Sequence, residues 1–234
     1  MSIKLLTEET TQLLKQNFDL VRSNMEGASI GKNVTLLAAT KTVDAEVINY
    51  AIDNLGLTDI GENKVQELLS KYDMLHLDKV NLHFIGRLQT NKVKYIVDKV
   101  CLIHSVDSLK LAEEIEKQSA KRGIVSSVLV EVNIASEETK GGVLPSELSG
   151  FVNSLKAYTH INCKGIMVIP PDCRDNDKYT EYFKETRALA DGIFTDFEPI
   201  VSMGMTDSYI PAIKCGADVI RVGSGLFGKR DYQV

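Results

Sequence analysis

The sequence predicts an α/β protein, a single (β/α)8 barrel of the TIM type with an extra N-terminal helix. Three observations predict it. Strand-like apolar runs alternate with helical runs along the whole chain, which calls for parallel strands joined by right-handed crossovers. There are eight strand-like runs, the number that closes a barrel. The length of 234 residues is near the ~250 typical of that fold. An open doubly wound sheet is the structural rival.

The elements follow in order. Residues 7–26 place Leu14, Phe18, Val21 and Met25 on one helical stripe, with Glu8 and Glu9 suited to the positive end of a helix dipole. VTLLAAT (34–40) reads as a buried strand, and AEVINYAIDNLG (45–56) as a helix closed by a glycine cap. LTDIG (57–61) is the second strand, followed by a helix over 62–75. NLHFIG (81–86) is the third, with a helix over 91–99, and VCLIHS (100–105) is the fourth. A helix over 108–123 stops at Gly123, and SVLVEVNI (127–134) is a strong fifth strand. After a helix over 145–158 comes INCKGIMVI (161–169), and after one over 177–193 comes EPIVSM (198–203). SYIPAIKCG (208–216) is a short helix and ADVIRVG (217–223) the last strand. No Pro/Gly/Ser-rich linker interrupts the rhythm, so residues 1–234 read as one domain.

Composition narrows the function. Hydrophobic residues make up 44% and charged ones 25%, enough for a large core. The net charge of −5 gives no electrostatic case for nucleic acid or an anionic membrane as partner. No run approaches the roughly 18 apolar residues of a membrane span. The start, MSIKLLTEETTQLLKQ, lacks the apolar core and cleavage site of a signal peptide. Cys101, Cys163, Cys173 and Cys215 are scattered without a CxxC pair, as expected for reduced thiols in a cytoplasmic protein with no metal site.

In a barrel of this type, chemistry sits where strands end and βα loops begin. Those junctions carry Thr40-Lys41-Thr42, Gly61-Glu62-Asn63, Gly86 to Asn91, Ser105 with Asp107, and Glu131 with Asn133. Ser202 to Asp207 follows the seventh strand, and Arg221-Val222-Gly223-Ser224-Gly225 closes the eighth. Polar and glycine residues crowd this one rim.

Three clusters there carry chemistry. Lys41 follows a run of mainly apolar residues, and a lysine at a partly desolvated barrel mouth has a lowered pKa that frees its amine to attack an aldehyde. The plainer alternative is a lysine that snorkels out of a strand end. GSGLFG (223–228) matches GxGxxG, yet a dinucleotide fingerprint needs a second strand and an acidic residue about 20 positions on, and the sequence given ends at Val234. What survives is a glycine-rich turn able to cradle a phosphate, with Ser202 as a second donor, or simply a closing turn. Arg221 shares a strand face with Gly223, so an inward guanidinium would lie beneath that turn. It would face a bound ring nitrogen or pair with a carboxylate such as Glu131, because a buried charge needs a partner.

Seven blocks now stand in order: AATKT (38–42), IGENKVQE (60–67), LHFIGRLQTNK (82–92), VNIASEETKGG (132–142), GIMVIP (165–170), VSMGMTDSYIPAI (201–213) and VIRVGSGLFGKR (219–230). Together they resemble the pyridoxal phosphate homeostasis protein family along nearly the whole chain. That family is similar to the barrel domain of alanine racemase-type enzymes that use pyridoxal 5′-phosphate (PLP), without their β-rich second domain. The resemblance implies PLP as cofactor, held as a Schiff base on Lys41, with Arg221 at the pyridine nitrogen. It further implies that Ser202, Gly223 and Ser224 hold the phosphate, that Asn63 lines the ring, and that Met203 of SMGM belongs to the site. Ser224 stands where the family commonly has threonine, and Lys64 where it often has another residue.

Two functional classes remain open at this point. One is a monomeric PLP carrier supporting vitamin B6 supply and amino- and keto-acid balance, with PLP-dependent apo-enzymes as recipients and no robust catalysis. The other is a racemase-like PLP enzyme, which needs acid–base groups on both faces of Cα. Lys41 could serve one face, and Tyr232 has no segment long enough to present it across the site.

Overall fold

A computed structural model describes residues 6–29, 31–137 and 139–228. Eight parallel strands close into a barrel in sequence order. They are β1 (Thr35–Ala39), β2 (Asp59–Glu62), β3 (Asn81–Phe84), β4 (Leu102–Val106), β5 (Ser126–Val132), β6 (Ile161–Val168), β7 (Ile200–Ser202) and β8 (Val219–Val222). The helices are α1 (Glu8–Ala28), α2 (Ala45–Leu55), α3 (Val65–Lys71), α4 (Leu109–Arg122), α5 (Leu148–Leu155), α6 (Asn176–Ile193), α7 (Tyr209–Lys214) and α8 (Ser224–Phe227). The predicted barrel and its extra first helix are thus the observed architecture. No helix among the described residues is long and apolar enough to cross a membrane.

Local chemistry sets the ends of these elements. Thr7 caps α1 in a reciprocal box with Thr10. Ser108 caps α4, and Asp175 accepts from the backbone N–H groups of Asp177 and Lys178 to cap α6. Gly56 and Gly123 close α2 and α4 at φ +61° and +63°, where a side chain would be strained. Two predicted elements shrink. The helix expected over 91–99 is a 3-10 turn, Thr90–Tyr95, and the strand expected over 198–203 pairs only across Ile200–Ser202. Pro199 precedes that short strand and has no N–H to give a ladder.

Strand alternation divides the core in two. Ala38, Ile60, Phe84, Ile103, Val130 and Ile166 face outward into one continuous layer beneath the helices. The inward positions hold Leu37, Ala39, Ile85 and Val219 in one cluster, and Leu102, Leu129 and Met167 in another. Gly61 makes room among them, since a Cβ there would come within 2.6 Å of Leu37 Cδ2. Five further inward positions are polar and buried: Asp59, His83, His104, Ser202 and Arg221.

α1 lies across α7 and α8. Phe18 meets Phe227 edge-on at 6.1 Å, and Asn17 Nδ2 donates to the Leu226 carbonyl at 2.9 Å. The last helical turn, which carries Ser224, is thereby fixed to the barrel.

Candidate functional site

The C-terminal mouth of the barrel holds a cavity of about 370 Å3, within the range of small-ligand sites. Lys41, Asn63, Arg221, Gly223 and Ser224 all line it, joined by Thr206. Five of the seven residues expected from the sequence therefore line one cavity, from three separate strand ends.

Lys41 stands in the turn after β1 rather than on the strand, half-buried, between two pinned neighbours. On one side Thr40 donates its N–H to the Gly61 carbonyl at 3.0 Å and its hydroxyl to Glu62 Oε1 at 2.7 Å. On the other, Thr42 adopts φ +64°, and its N–H donates to the Glu67 carboxylate. Lys71 Nζ ties both halves together, donating to the Thr40 carbonyl at 3.0 Å, Glu62 Oε1 at 3.0 Å and Glu67 Oε1 at 2.6 Å. Burial raises the Glu62 carboxyl above its ordinary range, while the Lys71 charge and the Thr40 hydroxyl pull the other way. The turn bearing Lys41 is thus held by a buried ionic brace as well as by the buried Val43.

Arg221 points inward at the cavity floor. Its guanidinium donates from Nη1 to Ser202 Oγ at 2.7 Å and from Nη2 to the Val168 carbonyl at 2.8 Å. Burial pushes its pKa down to about 10, opposed by the Glu131 carboxylate, so it stays charged at neutral pH. Glu131 is itself raised, by burial first and then by Asp107, against Arg221 and Arg87. The carboxylate partner considered from the sequence therefore acts through space, while the hydrogen bonds of Arg221 go to Ser202 and Val168.

Two expected residues do not reach the cavity. The Ser202 hydroxyl is fully buried beneath Arg221 and also bonds His104 Nδ1 at 3.0 Å, so it is turned away from any phosphate at the turn. Met203 faces outward into the layer beneath the helices. Their places at the cavity are taken by Thr206 and Met205. Thr206 Oγ1 lies 3.2 Å from Ser224 Oγ and accepts the Gly225 N–H at 3.2 Å. A Cβ on Gly225 would come within 2.9 Å of Val222 and 3.2 Å of Thr206, so the turn closes tightly only with glycine there. Tyr232 lies outside the described residues.

The donor set fits a phosphorylated aldehyde. The two hydroxyls of Thr206 and Ser224 suit a phosphate, the Lys41 amine suits a carbonyl carbon, and the Arg221 cation suits an unprotonated ring nitrogen. Asn63 Oδ1 is buried with no hydrogen-bond partner among the described residues, a group that a ligand donor would satisfy. The Asn63 backbone packs so closely on Gly86 that a Cβ there would fall 2.1 Å from the Asn63 carbonyl oxygen.

Comparison with known proteins shows the family. The chain matches the family model described as alanine racemase, N-terminal domain, over residues 10–231. The pyridoxal phosphate homeostasis protein of Aquifex aeolicus (strain VF5) is 43% identical over 223 residues, 94% of this chain and 97% of that one. PipY of Synechococcus elongatus PCC7942, solved with PLP bound, superposes with a TM-score of 0.81 at 27% identity, covering 92% of this chain and 100% of that one. An alanine racemase of Clostridium difficile 630 shares the fold at TM-score 0.71 and 13% identity, covering 93% of this chain and 57% of its own. With that identity sustained over nearly the full length, this chain belongs to the pyridoxal phosphate homeostasis protein family.

Proposed function

We propose that this protein holds PLP reversibly on Lys41 and serves PLP homeostasis and amino- and keto-acid balance, without turnover at enzyme-like rates. One observation carries the reading: Lys41, Arg221 and the Thr206–Ser224 hydroxyl pair line the same cavity. The relative of known structure that was solved with PLP bound supports the choice of ligand.

Each residue has a defined task. Lys41 would hold the cofactor through its amine, by condensation with the aldehyde and loss of one water. Thr206 and Ser224 donate hydroxyl hydrogens to the phosphate oxygens. Asn63 Oδ1 accepts from a donor on the ring. PLP supplies an electron-withdrawing conjugated ring. Arg221, locked in its charged form, disfavours a second positive charge on the facing ring nitrogen and so weakens that withdrawal. Delivery to PLP-dependent apo-enzymes then suits the site better than committed chemistry at Cα. The reading takes residues 1–234 as one monomeric domain working in the cytoplasm, where Cys101, Cys163, Cys173 and Cys215 remain unpaired thiols.

The test has two parts. PLP added to the purified protein should give a near-visible imine band that Lys41→Ala lacks while remaining folded. A panel of amino acids incubated in deuterated water should then show no α-proton exchange at several turnovers per second. Fast exchange abolished by Lys41→Ala would place the protein among the racemase-like enzymes.

A further inference from the structure

A continuous polar chain runs through the barrel from Asp59, at the N-terminal end of β2, to the floor of the cavity. Asp59 Oδ1 lies 3.0 Å from His83 Nε2, and His83 Nδ1 lies 3.0 Å from His104 Nε2. His104 Nδ1 lies 3.0 Å from Ser202 Oγ, which Arg221 Nη1 meets at 2.7 Å. These five residues come from β2, β3, β4, β7 and β8, all at inward positions and all buried. Nothing in the task of holding a ligand at the mouth requires two histidines in the middle of an otherwise aliphatic interior.

With both imidazoles neutral, the two ends dictate which way every bond points. A guanidinium only donates and a carboxylate only accepts. Ser202 Oγ must accept from Arg221, which leaves its single hydrogen for His104 Nδ1. His104 then carries its hydrogen on Nε2 and gives it to His83 Nδ1. His83 in turn carries its hydrogen on Nε2 and gives it to Asp59. With both imidazoles neutral, this one arrangement satisfies all four bonds. Independent features agree. Thr58 Oγ1 at 2.8 Å and Asn81 Nδ2 at 3.1 Å also donate to Asp59, so burial is outweighed and its carboxyl sits below the ordinary value. Burial above all holds His104 well below the ordinary imidazole value, and the Arg221 charge acts in the same direction.

We propose that this chain is a one-way hydrogen-bond relay that orients Arg221 from the Asp59 carboxylate, making Asp59, His83 and His104 positioning residues for the cavity. The proposal deepens the PLP reading above, since the group positioned is the one that faces the ring nitrogen. Without Asp59's charge the direction is no longer enforced. Each histidine can then adopt either tautomer, and the Ser202 hydroxyl no longer presents a fixed acceptor to Arg221.

The test begins on the protein without ligand. Nitrogen-15 NMR of the imidazoles at about pH 8 should find His83 and His104 each as the neutral Nε2–H tautomer. Asp59→Asn, which keeps the shape, should give mixed tautomers. PLP titrations follow. Asp59→Asn and Ser202→Ala should each weaken PLP by about three- to tenfold, the range for one ordinary hydrogen bond, and shift the imine band. The double variant should be no worse than Ser202→Ala alone, because the chain is already cut. Structural damage at two separate sites would instead add. An Nδ1–H or cationic His83 or His104 in the natural protein, or additive losses in the double variant, would overturn the relay. Should Asp59→Asn not fold, the tautomers of the natural protein decide. A protein that takes up no PLP defeats the functional reading and leaves the tautomer result to judge the relay by itself.

Discussion

Thr206 Oγ1 and Ser224 Oγ stand 3.2 Å apart, joining the loop after β7 to the turn after β8 at the cavity wall. The pair presents two hydroxyls side by side although 18 positions separate them in the chain. Thr206→Ala and Ser224→Ala should each weaken PLP more than pyridoxal, by about 1.5–3 kcal/mol for a hydrogen bond to a charged group. Equal losses for the two ligands, measured by titration of the imine band, would show that neither hydroxyl touches the phosphate.

Asn63 should separate stability from binding. Its Oδ1 is buried without a partner among the described residues, so removing it relieves a desolvated acceptor. Asn63→Ala is expected to leave the ligand-free protein as stable as before, or more so by up to about 1 kcal/mol, while weakening PLP. Urea unfolding and ligand titration of the same preparation check both signs.

Lys71 braces the turn that carries Lys41. Lys71→Ala leaves the fully buried Glu62 without its cation and should cost about 3–5 kcal/mol at pH 7. Without Lys71 the Glu62 carboxyl, already raised by burial, rises further. A folded-state value above the unfolded 4.5 means that the folded protein binds more protons just above that pH. Stability of the variant should therefore fall as pH rises from about 5 to 7, so the deficit is smaller in mild acid. Urea midpoints measured at several pH values would reveal it.

His104 gives the opposite slope. Its folded-state pKa lies well below the unfolded 6.5, so below that pH the unfolded chain binds the extra proton. Stability then falls as pH drops through about 6.5 and is level above it, at about 1.4 kcal/mol per pH unit for one group. The raised carboxyls of Glu62 and Glu131 act in the other sense. The difference between the natural protein and His104→Gln isolates the imidazole. That difference should be flat from about pH 7 upward and should shift in favour of the variant by that slope in acid.

The barrel was legible because its signal is global. Eight apolar runs spaced by helical stretches leave few topologies, and weak spots such as the short β7 do not change the count. At the site, Lys41, Asn63, Arg221, Gly223 and Ser224 were legible as polar or glycine residues at strand ends. The sequence points to Ser202 and Met203, whereas Met205 and Thr206 line the cavity, because alternation stops informing once the strand ends. Gly204, at φ +89°, turns the chain and brings the next two residues to the cavity. The Asp59–His83–His104 chain was missed for a different reason. Each residue is a lone polar group within an apolar run, and only the barrel's closure brings them into line with Arg221. Their common inward register, every second position along each strand, was the available clue.

The covalent link at Lys41 is the centre of the account, and borohydride tests it most directly. The protein loaded with PLP should lose its near-visible band on reduction, and peptide mapping should find the reduced pyridoxyl group on Lys41. A yellow Lys41→Ala protein fixed by borohydride, or a reduced group mapped to another lysine of the natural protein, would contradict it.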